Sequence, residues 1–93
     1  MPRYEIAHIQ EQGVDIIIIP MDASFGKKSE DAQYKALEEL QMRATSAGLA
    51  GTVVPVWKVE GQMMFLAPPN WHSFFHSINF QFVASHMNKY ISW

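Results

Sequence analysis

The chain has 93 residues, of which 48% are apolar and 13% aromatic, with seven Lys/Arg against nine Asp/Glu and no cysteine. That length supports one domain, residues 1–93, with a single modest core. The missing cysteine excludes a disulfide framework and a thiolate metal site, and a net charge of −2 with only Lys27-Lys28 as an adjacent basic pair supplies no counterion-release affinity for nucleic acid.

The longest apolar run, residues 16–21, is far shorter than a membrane span, so the expectation is a soluble, cytoplasmic protein that meets neither membrane nor nucleic acid. Residues 4–10 and 14–19 read as two strands around Gln12-Gly13, where a glycine at positive φ suits a tight hairpin. With a two-residue loop, Ala7, Ile9, Ile16 and Ile18 share one face, and Ile6, His8, Asp15, Ile17 and Ile19 share the other. Pro20 closes the second strand.

Ser29-Glu30-Asp31 then supplies a helix cap and first-turn acids, and Leu37, Leu40, Ala44 and Ala47 recur at helical spacing until Gly48. Lys35, Glu39 and Arg43, four apart, mark the outward side of that helix.

Residues 52–59 and 62–67 form a second strand pair around Glu60-Gly61. A shift of 48 residues superposes Gly13 on Gly61, Pro20 on Pro68, Asp22 on Asn70 and Ser29 on Ser77, so an internal repeat of strand, strand, helix is read from the chain. Asn70 is expected to cap the second helix. Its apolar residues make two stripes: Trp71, Phe74, Phe75, Ile78 and Phe82, then Phe80, Val83, Met87 and Ile91.

This element order resembles a permuted ferredoxin-like architecture. The fold expected on that basis is α+β: tandem ββα-ββα, with a four-stranded antiparallel sheet in order 1-2-4-3 and both helices on one face. Pro55 places the third strand at an edge. The face turned away from the helices, with Ile6, Ile17, Ile19, Val54, Val56, Met63 and Phe65, would then be too apolar for a lone chain, which predicts a homodimer or a protein partner.

No catalytic motif emerges, and the expected role is binding, without a cofactor, in preference to catalysis. Trp71, Phe74, Phe75, Phe80 and Trp93 are the candidate anchors for a partner, because aromatic side chains concentrate interface energy; a small-molecule ligand is the other occupant such a surface could take. Lys27, Lys28 and Ser29, at a strand-to-helix turn, form a candidate anion site. Gly26-Lys27-Lys28-Ser29 resembles the end of a phosphate-binding P-loop, but Met21 stands where that motif has its first glycine. The alternative role is a cofactor-free enzyme or small-anion-binding protein with a pocket near His8 and Asp15 or that loop. His72 and His76 are spaced to share a metal, yet two ligands do not make a site, and no metal is expected.

Overall fold

The computed structural model of the chain describes residues 3–92. The fold is α+β, built on a mixed five-stranded sheet in spatial order β4-β3-β2-β1-β5. The strands are β1 Arg3–Glu11, β2 Val14–Pro20, β3 Thr52–Val59, β4 Gln62–Phe65 and β5 Lys89–Ser92. The helices are α1 Glu30–Ser46, α2 His72–Ser77 and α3 Phe80–Ser85, with 3-10 turns at Ala23–Lys27 and Pro69–Trp71.

Both hairpins form with two-residue loops, pairing Glu11 with Val14 and Val59 with Gln62. Gln12 and Gly13 have φ of 53° and 79°, and Glu60 and Gly61 have 50° and 81°. Positive φ at both central positions is the type I′ turn, whose twist matches that of paired strands.

The two hairpins join differently from the expected order. β2 pairs β3 in parallel, with Ile17 beside Val53 and Ile18 beside Val54, and α1 makes the connection. β3 is therefore central and β4 lies at the edge, reversing their expected positions. The sheet is also not wholly antiparallel, and β5 adds a fifth strand along β1.

Pro55 is tolerated in the interior for a local reason. Residues of a strand point their N–H and C=O alternately to either side, and the Pro55 carbonyl accepts from Leu66 N at 3.1 Å, on the β4 side. Its missing N–H thus falls where β4 has just ended, while the bonds to β2 are unaffected. Met21 N still reaches the Val56 carbonyl at 2.7 Å.

The helices lie on opposite faces, a second correction. Leu40 and Ala44 of α1, with Leu37 beside them, pack over Ile6, Ile17, Ile19, Val53 and Ile91. Trp71, Phe75 and Val83 pack over Ala7, Ile16, Ile18, Val54 and Val56. The surface expected to stay open is accordingly covered within the chain: its Ile6, Ile17 and Ile19 lie under α1, and its Val54, Val56, Met63 and Phe65 under α2 and α3. Two covered faces explain the continuous run Ile16–Ile19, since a strand buried on both sides needs no polar alternation.

Helix ends follow the expected chemistry in α1. Ser29 Oγ accepts from Ala32 N at 3.2 Å. At the other end Gly48, at φ 81°, gives its N–H to Thr45, and Leu49 N reaches the Ala44 carbonyl at 3.0 Å, a Schellman closure. The second helical segment departs from the expected single helix. Ile78 and Asn79 are extended, and Asn79 Oδ1 accepts from Phe82 N at 2.9 Å to start α3 anew. Asn70, the expected cap, lies inside the 3-10 turn Pro69–Trp71 instead, and Ile91 belongs to β5.

Candidate binding cleft

Where β4 ends early, a cleft opens between α1 and the outgoing chain. Continuing the β3–β4 register past Pro55 and Leu66 brings Val53 opposite Pro68, which has no N–H to give. The ladder stops there and the chain turns into the Pro69–Trp71 turn. The exposed backbone of β3 is met by α1. Gln41 Oε1 accepts from Val53 N at 2.8 Å, and Gln41 Nε2 donates to the Gly51 carbonyl at 3.0 Å. One side-chain amide thus stands in for a strand residue and leaves the Val53 carbonyl without a ladder donor.

The resulting cleft has a volume of about 620 Å³ and is lined by Tyr34, Leu37, Glu38, Gln41 and Met42 of α1, Thr52 and Val53 of β3, and Leu66, Ala67, Pro68 and Pro69. Tyr34 and Met42 keep 46% and 53% of their surface exposed, beside the apolar Leu37, Val53, Leu66, Ala67, Pro68 and Pro69 of the same wall. Methionine adapts its shape to an occupant at little cost. Glu38 is the one carboxylate on the wall, and no lysine, arginine or histidine lines it. The ion pairs among the described residues join Arg43 to Glu39 and Arg3 to Glu5, so Glu38 is unpaired there.

Two further clefts flank the other helical layer. One, of about 510 Å³, has Trp71 and Phe74 beside the polar Glu11, Gln12, Asn70, Ser73 and Ser77. Another, of about 590 Å³, runs along the outer end of β4 with Met63, Met64, Phe65, Phe75 and His76.

The aromatic candidates gather in one cluster. Trp71 and Phe75 are 8% and 2% exposed and hold α2 to the sheet. Phe74 stands between them, with ring centroids 5.6 Å from Trp71 and 5.2 Å from Phe75, and Phe80 packs half-buried on the same core. Trp93 lies outside the described residues.

Lys27, Lys28 and Ser29 are exposed at the turn before α1. The Ser29 hydroxyl is engaged as the helix cap, and Glu30 and Asp31 place negative charge in the same turn. His8 and Asp15 share the α1 face but do not bond each other. The His8 ring meets the Ala50 carbonyl at 2.8 Å through Nε2 and Lys89 Nζ at 3.0 Å through Nδ1. An ammonium can only donate, so Nδ1 accepts and Nε2 carries the proton. Asp15 accepts instead from Gln10 Nε2 at 3.4 Å. His72 and His76 set their rings edge-on to Phe65, with centroids at 5.5 and 5.2 Å. Among the described residues no group of three or more His, Asp or Glu side chains is placed to hold a metal, and no helix is long and apolar enough to cross a membrane.

Tyr34, Glu38, Gln41 and Met42 escape sequence reasoning because the ion-pair pattern of Lys35, Glu39 and Arg43 reads as a solvated helix side. The available signal is Tyr34 and Leu37, which run beside Leu40 and Ala44 and widen the apolar face, followed downstream by Pro68-Pro69. No protein-family model matches this chain, no curated protein matches it, and no solved structure matches it.

Proposed function

We propose that the protein is a small binding protein that holds an apolar ligand in the cleft beside α1. The observation that carries this reading is the apolar cleft itself, with Tyr34 and Met42 left half in solvent at its mouth. Its volume of about 620 Å³ falls within the range usual for small-molecule sites, roughly 300 to 1,000 Å³. Support also comes from its construction: a helix and a strand edge are fixed to each other by Gln41, so the walls are in place before a ligand arrives. Calorimetric titration with 1-hexanol tests it. Saturable binding that Met42→Trp abolishes and Met64→Trp leaves intact is the expected result; no binding, or binding indifferent to Met42→Trp, would overturn the assignment.

Self-association is a second reading, favoured by the edge strand β4. Gln62–Phe65 carries neither charge nor proline, and Met64 is 43% exposed. Edge strands usually carry lysine, proline or a bulge that blocks pairing with another chain. Two copies aligned antiparallel along β4 would continue the sheet. Light scattering that gives twice the 10.6 kDa chain mass, reduced to one chain by Met64→Lys, supports this dimer; one chain mass at micromolar concentration removes it.

A further inference from the structure

Among the described residues, the α1 cleft carries one carboxylate and no basic side chain, and this narrows the ligand. Gln41, the lining amide, gives one of its two Nε2 N–H groups to the Gly51 carbonyl and accepts through its oxygen from Val53 N. The Val53 carbonyl faces the cleft side of β3 with Pro68 opposite it, where no N–H is available. Glu38 adds a carboxylate that no ion pair among the described residues engages: Lys35, nearly one turn earlier, does not bridge to it, and Arg43 pairs with Glu39 at 3.8 Å. Tyr34 and Thr52 add hydroxyls, which can donate or accept.

From this complement we infer that the cleft selects a small amphiphile bearing a protonated amine, its hydrocarbon part against Leu37, Met42 and Leu66 and its ammonium at Glu38. The inference rests on the binding reading above and specifies its ligand class. A carboxylate on the same hydrocarbon would be disfavoured by repulsion from Glu38, with no cation on the wall to offset it; an alcohol would be intermediate. Because Glu38 is exposed, water screens the pairing, and the selectivity expected is modest, about three- to five-fold for amine over alcohol.

The experiment titrates n-hexylamine, 1-hexanol and hexanoate at neutral pH and low salt into the wild-type chain, Glu38→Gln and Glu39→Gln. The two variants change net charge equally, but Glu39 does not line the cleft. The expected order is amine, then alcohol, then carboxylate, with Glu38→Gln removing the amine preference and Glu39→Gln keeping it. Equal binding of all three, tighter binding of hexanoate, or loss of the preference in both variants would overturn the ligand class while the binding reading survives. No binding of any of them would overturn both.

Discussion

Gln41 does at one position what a whole strand residue does elsewhere: its amide pairs with Val53 N and the Gly51 carbonyl at the place where β4 has run out. Asn88 repeats the device at the opposite edge, accepting from His8 N and donating to the His8 carbonyl, both at 2.9 Å, just before β5 begins. Removing such a side chain strands backbone groups that water reaches poorly. Gln41→Ala should therefore cost about 1–3 kcal/mol in urea unfolding, and a change under a few tenths would show that water replaces the amide freely. Neither contact is legible in the sequence, because a glutamine in a helix and a strand edge ten residues later meet only through tertiary packing. The turn residues were legible for the opposite reason. Gly13 and Gly61 declare positive φ through local chemistry alone, whereas Gln12 and Glu60 take it only because the two-residue turn requires it, and each turn fixed the alternation of its own hairpin.

At the scale of elements, hairpin registers followed from the sequence and their mutual arrangement did not. Each two-residue loop sets parity within a hairpin, so Ile16 and Ile18 were rightly grouped with Ala7 and Ile9. Which face of the second hairpin joins that group depends on how β2 meets β3, and a continuous isoleucine run carries no polar alternation to decide it. Pro55 misled because a proline excludes one direction of bonding, not both; its blocked side met the end of β4. The break between α2 and α3 was hidden by two overlapping aromatic stripes, although Asn79 is the cap that makes it. Residues 89–92 hold β5 against β1 through four pairs, helped by Asn88 and by Arg3 over the Tyr90 ring at 3.9 Å. Asn88→Ala should raise amide exchange in β5 and at His8 while leaving β2 and β3 protected. Uniform acceleration across the sheet would mean that β5 opens only with the whole fold.

For the molecule as a whole, the high apolar content is accounted for by a sheet covered on both faces within one chain, α1 on one side and α2 with α3 on the other. The large apolar surface expected for a partner is thereby covered within the chain, and among the exposed apolar residues that remain are Met64 on the edge strand β4 and Tyr34 and Met42 at the cleft beside α1. The cleft was not legible because Pro68 marks only where a strand ends, and the placement of α1 over that edge is set by tertiary packing through Gln41. Its occupancy can be read from methionine methyl resonances, since Met42 lines this cleft whereas Met63 and Met64 line the one along β4. Titrating 1-hexanol into methyl-labelled protein should shift the Met42 signal saturably and leave Met63 and Met64 in place; a stationary Met42, with or without movement at the other two, would contradict the account.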